Sequence, residues 1–159
     1  MDTIELLEDG LLAAVAAIGF GSISNIPKKS MLGCALLAAV GHIFRYVLMD
    51  GCGWFIISSS FMGAISIGLL SIPASRKFRC PAEVLSFPAL LPMIPGMYAY
   101  RSVQSLMMCF SEHSEEVFSR YFNLFSYNWM VCVLTIGLMV IGVTLPIFIF
   151  RTHSFSATR

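Results

Sequence analysis

Apolar residues fill this chain in long runs, and polar residues cluster in the short breaks between them. Five runs stand out, at 7–24, 30–49, 53–72, 84–110 and 129–150. Each is close to or above the ~20 residues that cross a hydrocarbon core about 30 Å thick. The pattern predicts an all-α integral membrane protein of about five transmembrane helices in one domain covering 1–159. The second run is the least apolar. Between the fourth and fifth, SEHSEEVFSRYFNLFS (111–126) alternates at helical spacing, with Phe118, Tyr121, Phe122 and Phe125 on one face. It reads as a short amphipathic helix lying at the interface. Glu115 and Glu116 fall in its first turn, where the helix dipole favours anions.

The fourth run breaks its own pattern. FPALLPMIPGMYAY (87–100) holds Pro88, Pro92, Pro95 and Gly96 inside an apolar stretch. Each proline lacks a backbone donor and clashes with the preceding turn. As one straight helix, residues 84–110 would extend about 40 Å, more than a bilayer requires. A break at Pro92–Gly96 removes the excess. Pro95 suits a helix start and Gly96 suits close backbone approach. The second half-helix would then present free N–H groups inside the membrane.

Composition agrees with the pattern. Of 159 residues, 57% are hydrophobic and only 12% charged, too few to cover a soluble domain. A net charge of +1 with no basic, aromatic-interleaved patch gives no footprint for nucleic acid. The first residues, MDTIELLEDG, are acidic, unlike a signal peptide. Cys34, Cys52, Cys80, Cys109 and Cys132 are scattered singly, with no metal-ligand spacing, so no metal or cofactor is expected.

Charge also sets an orientation. With five spans, Lys28, Lys29, Arg76, Lys77, Arg79, Arg151 and Arg159 share one side. The other side holds Arg120 against Asp2, Glu5, Glu8, Asp9, Asp50, Glu112, Glu115 and Glu116. Basic loops stay in the cytoplasm, which puts the N-terminus outside and the C-terminus inside. No acidic residue is expected deep in a span. Small residues recur four apart at Ala13, Ala17, Gly21 and at Ser60, Ala64, Gly68, stripes that allow close helix contact within the bundle or with a partner.

Ionisable residues inside spans point to function. His42 and Arg45 share a face of the second span, and Arg101 follows the proline cluster. Both arginines fall at similar depth by residue count. Together with the broken helix they favour an anion. Blander roles stand beside this one. Arg45 could pair with Asp50, Arg101 could satisfy carbonyls freed by the prolines, and His42 could be a packing residue.

Two patches carry a family resemblance. LPMIPGMYAY resembles the (I/L)P-x-x-PG-x-x-x-Y signature of the threonine/serine exporter (ThrE) family, in Pro92, Pro95, Gly96 and Tyr100. NIPKKSMLGCALLAAVGHIFRYVLM (25–49) is similar to a second stretch of its small YjjB-like half, in Asn25, Pro27, Gly41, His42 and Arg45. The resemblance implies the small subunit of a two-component exporter in the bacterial inner membrane, working with a larger YjjP-like membrane subunit. It implies threonine and serine, or for split pairs succinate, as cargo. Arg45 and Arg101 would hold carboxylates of a succinate-like dicarboxylate, and His42 would carry a proton. Pro92, Pro95, Gly96 and Tyr100 complete the substrate-site expectation. A haem-anchoring subunit would need a second histidine at membrane depth, since His113 and His153 lie in polar segments. No enzyme motif is present. A homo-oligomeric channel is physically allowed.

Overall fold

The computed structural model describes residues 3–111 and 114–150. Asp2, Glu112, His113, Arg151, His153 and Arg159, used in the charge and histidine readings above, lie outside them. Among the described residues the chain is all helix and turn. In order come α1 (Thr3–Ile23), α2 (Lys28–Tyr46) with a π-helical extension (Val47–Gly51), α3 (Ile56–Phe78) and α4 (Ala82–Leu90). A 3₁₀ turn (Leu91–Met93), α5 (Gly96–Ser111) and α6 (Glu115–Ile149) follow. Four of these are long and apolar enough to cross a membrane: α1, α2 with its extension, α3 and α6. The fourth predicted span is split as expected, into α4 and α5, with the break at Pro92–Pro95.

Local chemistry places the helix ends. α2, α4 and α5 each begin directly after a proline (Pro27, Pro81 and Pro95), whose fixed φ preorganises the first turn. α1 ends at Asn25 in the left-handed region (φ 52°), a conformation asparagine tolerates. The Ile26 N–H then reaches back to Gly21 O (3.2 Å) and the Asn25 N–H to Ser22 O (3.2 Å), the paired closure of a Schellman motif. α3 ends the same way at Arg79 (φ 53°), with Cys80 N–H on Ser75 O.

The chain forms two compact units. One takes the sequence up to Met93 and again from Leu138; the other is Ile94–Gly137. In the first, α2 packs against α1, α3 and α4. Both small-residue stripes are buried inside this unit, which supports the within-bundle reading. Close approach is visible at the glycines: a Cβ on Gly68 would stand 2.6 Å from Val143 O, and one on Gly142 2.9 Å from Phe61 O. These two positions let α3 and the end of α6 touch backbone to backbone. Cys34 and Cys80 are buried here, Cys109 and Cys132 are buried in the second unit, and Cys52 is exposed.

Three expectations change. α1 begins at Thr3, not Leu7, so Glu5, Glu8 and Asp9 belong to a helix and not to a leading loop. The 111–126 segment is not a separate helix: from Glu115 it runs unbroken into the fifth span, as one 35-residue helix. No proline or glycine interrupts 115–136, so nothing there stops the helix. Its aromatic ladder is Phe118, Phe122, Phe125 and Trp129, with ring centroids about 6 Å apart, while Tyr121 lines a cavity with Leu124 and Asn128. Gly96 has no close neighbour: a Cβ there meets nothing within 4 Å among the described residues.

Candidate functional site: a polar cluster at the helix break

Breaking a helix in an apolar setting strands carbonyl groups, and each must find a donor. Pro88 has no N–H to give Val84 O. Beyond Pro92 the ladder lapses too: the Gly96 N–H turns to Ile94 O (2.8 Å) and not to Pro92 O. Met93 O would need the Met97 N–H, but Met97 is in the first turn of α5.

One face of α2 supplies the missing donors. Cys34 Sγ lies 3.7 Å from Val84 O. His42 Nε2 lies 3.3 Å from Pro92 O. Arg45 donates from its guanidinium to Met93 O at 2.8 Å. These positions follow one another along the side of α2 facing α4 and the 3₁₀ turn. Two glycines make room. A Cβ on Gly63 would come within 2.6 Å of Met93 Cε and 3.1 Å of Gly41 O, so the Gly41–Gly63 crossing lets fully buried Met93 settle beside Arg45.

The other face of the cluster comes from α1. Asp9 Oδ2 lies 2.5 Å from His42 Nδ1, a contact that is an ion pair when His42 carries its second proton. One turn earlier, Glu5 accepts a hydrogen bond from the Tyr46 hydroxyl (3.0 Å). Glu5, Asp9, Ala13, Ala17 and Gly21 step four residues apart along α1; Tyr46, His42, Ala38, Cys34 and Ser30 do the same, in reverse, along α2. Two stripes at this period are how antiparallel helices interdigitate. The interface is polar at one end and built of small residues at the other. Asp9, near the start of the candidate span Ile4–Ile23, brings an acidic side chain into this cluster.

A cavity of about 270 Å³ opens on this cluster, lined by Asp9, His42, Arg45, Tyr46, Met49 and Asp50. Met49 and Asp50 arrive on the π-helical turn, whose wider winding re-aims side chains and recurs at functional sites. Arg45 donates to Met93 O and does not pair with Asp50, although both line the cavity.

The remaining predicted residues divide. Pro92 is half-buried at the cluster. Pro95 is buried; Gly96 and Tyr100 are exposed. Arg101 is exposed, belongs to the second unit, and lines a separate cavity of about 290 Å³ with Gln104, Ser105, Met108, Tyr121, Leu124 and Asn128. Within the first unit, Arg45 donates to Met93 O and His42 Nε2 faces Pro92 O. Asp9, Tyr46 and Asp50 went unrecognised as site residues. The four-residue steps Glu5–Asp9–Ala13 and Tyr46–His42–Ala38 were the signal that pointed to two of them.

A family profile described as "Threonine/Serine exporter, ThrE" matches residues 9–149, from the Asp9 of this cluster to the end of α6. The chain belongs to the threonine/serine exporter family. It is a multi-pass membrane protein of a transporter family. A protein of Haemophilus influenzae (strain ATCC 51907 / DSM 11121 / KW20 / Rd), described only as uncharacterized, is 31% identical over 144 residues. The alignment covers 90% of this chain and 47% of that protein, so the chain spans about half the length of this relative. No solved structure matches the chain.

Proposed function

We propose that this chain is the small subunit of a two-component secondary exporter of small carboxylate-bearing solutes. It would sit in the bacterial inner membrane, N-terminus outside and C-terminus in the cytoplasm, beside a larger membrane subunit of the same family. The likeness of 25–49 and of LPMIPGMYAY (91–100) to the small YjjB-like half of the family supports the subunit reading.

The observation that carries the solute class is the grouping of Arg45 with Asp9 and Asp50 around one cavity. Arg45 spends one donor on Met93 and keeps the rest of its fork for the cavity. A carboxylate suits that fork. Asp50, exposed at the rim, suits an ammonium. Guanidinium and carboxylate side by side fit an α-amino acid better than a dicarboxylate, which two carboxylates in the wall would repel. This favours the threonine- and serine-like cargo over succinate. The dicarboxylate reading keeps one support, the second cavity with its own guanidinium at Arg101.

Proteoliposomes test both. Vesicles loaded with labelled threonine or succinate are prepared with this chain alone and with its larger partner. Threonine efflux from the pair, weakened by Asp50→Asn, is the expected result. Succinate efflux from the pair, lost in Arg101→Gln with assembly intact, would move the assignment to a dicarboxylate. Flux from this chain alone overturns the subunit reading.

A further inference from the structure

His42 sits between two acceptors. Nδ1 faces the carboxylate of Asp9 at 2.5 Å, and Nε2 faces the carbonyl of Pro92 at 3.3 Å. A neutral imidazole has one N–H and one lone pair; only the imidazolium carries two N–H groups. Both contacts are therefore hydrogen bonds only when the His42–Asp9 pair holds an added proton, which as an imidazolium beside a carboxylate gives both ring nitrogens an N–H. When the proton leaves, the shorter contact to the carboxylate keeps the remaining N–H, and Nε2 turns a lone pair toward a carbonyl oxygen. An attraction becomes a repulsion at the point where the fourth span is broken.

We infer that His42 is a proton-operated latch on the broken span: protonated, it holds the Pro92 carbonyl; deprotonated, it releases it. The neighbouring carbonyl provides the contrast. Met93 O is held by Arg45, whose guanidinium keeps its protons at any ordinary pH. Of two adjacent carbonyls, one has a permanent donor and the other a conditional one. Releasing Pro92 O leaves the 3₁₀ turn tethered on one side, free to change its backbone without letting go of α2.

The charged groups around His42 come from every side. α1 brings Asp9 and, one turn away, Glu5; α2 brings Arg45 and Tyr46; the π-helical turn brings Asp50. α3 brings none, its charged residues Arg76 and Lys77 lying in its last turn, and α4 carries Glu83 in its first turn, at the far end from the break. Asp9 supplies the counter-charge that makes a proton on His42 tolerable away from water. The cavity supplies the path, since its ~270 Å³ holds several waters at about 30 Å³ each. The proton arrives from water on Nε2 and departs to water from the same atom, with Asp9 as the fixed anion.

A role in coupling export to a proton gradient rests on the transport reading above; the latch itself is a property of the chain alone. The test separates them. Hydrogen exchange is followed by mass spectrometry on the full chain in lipid nanodiscs, in peptides covering 89–98, between about pH 5 and pH 8, the range in which histidine titrates. Rates are corrected for intrinsic exchange. Protection at the junction is expected to fall roughly tenfold across that range, the scale of losing one charge-assisted hydrogen bond. His42→Gln, whose side chain cannot change protonation, should flatten the response. Asp9→Asn keeps an acceptor for Nδ1 but removes the charge, so its junction should exchange faster than wild type at the acid end of the range, where the wild-type latch is closed. It carries the test if His42→Gln does not fold. A wild-type junction indifferent to pH, or a His42→Gln junction that responds as wild type does, overturns the latch. Transport is scored separately: in His42→Gln the flux of solute through the pair should no longer respond to an imposed proton gradient. If the wild-type pair moves no solute, the exporter reading fails while the exchange data still decide the latch.

Discussion

Arg45 and Arg101 carry the same guanidinium in two different settings. In the first unit, Arg45 is half-buried, bonded to the Met93 carbonyl, and surrounded by Asp9, His42 and Asp50. In the second, Arg101 is exposed and makes no ion pair or hydrogen bond among the described residues; its cavity holds neutral polar side chains, Gln104, Ser105, Tyr121 and Asn128. The first arginine has a structural duty that it discharges with one donor. The second has none visible in the fold. An arginine at membrane depth is therefore not one kind of signal. Where prolines strand carbonyls, a nearby arginine is recruited to the backbone first, and only its remaining donors are available to a solute.

Removing each arginine should separate the two settings most sharply. Arg45→Ala leaves Met93 O without its donor beside a fully buried side chain. Loss of a hydrogen bond to a charged group costs about 1.5–3 kcal/mol. Thermal unfolding in nanodiscs should show that loss, while Arg101→Ala should stay within about 0.5 kcal/mol of wild type, as surface substitutions do. Equal destabilisation by both would mean that Arg101 is structural too, and the comparison would collapse.

What could be read from the residues alone follows how local the physics is. The break at Pro92–Pro95 was legible because a missing N–H is a property of the proline itself. The stripes Ala13–Ala17–Gly21 and Ser60–Ala64–Gly68 were legible because helical period alone puts them on one face, and both are buried. The continuity of α6 was legible in principle, since no breaker stands between Glu115 and Trp129, although the amphipathic face of 118–125 by itself suggests a separate interfacial helix. The Asp9–His42 pair was not legible from charge counting. Four acids near the N-terminus look like a solvated loop to a rule that sums charge by side, and only the four-residue step to Ala13 marks Asp9 as interior. Which carbonyl each α2 side chain would reach was beyond reading, because it depends on how α2, α4 and the 3₁₀ turn pack across about 50 positions of sequence.

Glycine substitutions sharpen the comparison at a smaller scale. Gly63, packed on Met93 in the first unit, and Gly96, at the start of α5 in the second, differ in surroundings. A Cβ on Gly63 would press on Met93 Cε at 2.6 Å, Gly41 O at 3.1 Å and Arg45 Cβ at 3.3 Å. The flexible methionine tip can yield and the backbone oxygen less so, which sets the cost of Gly63→Ala at about 1 kcal/mol. Gly96→Ala meets nothing and should fall within about 0.5 kcal/mol of wild type. Parallel thermal melts decide this. A costly Gly96→Ala would show that the family-like glycine at the start of α5 needs space for something other than this chain, such as the partner subunit.

The smallest effect lies within the first unit, between the two polar rungs that join α1 to α2. Glu5 and Tyr46 form an exposed rung; Asp9 and His42, one turn further in, form a rung whose side chains are 30% and 14% exposed. Water competes for the outer contact, so a double-mutant cycle of Tyr46→Phe with Glu5→Gln should return a coupling well below that of the inner rung. The same cycle on Asp9→Asn and His42→Gln should return about 1 kcal/mol or more, because fewer waters can replace what is lost. The ratio matters more than either number. If the outer rung couples as strongly as the inner one, exposure is not what grades this interface, and the charge on Asp9 has no special hold on His42. If the inner rung dominates, the helix pair is zipped from the cavity inward, and the proton on His42 is the closure that counts.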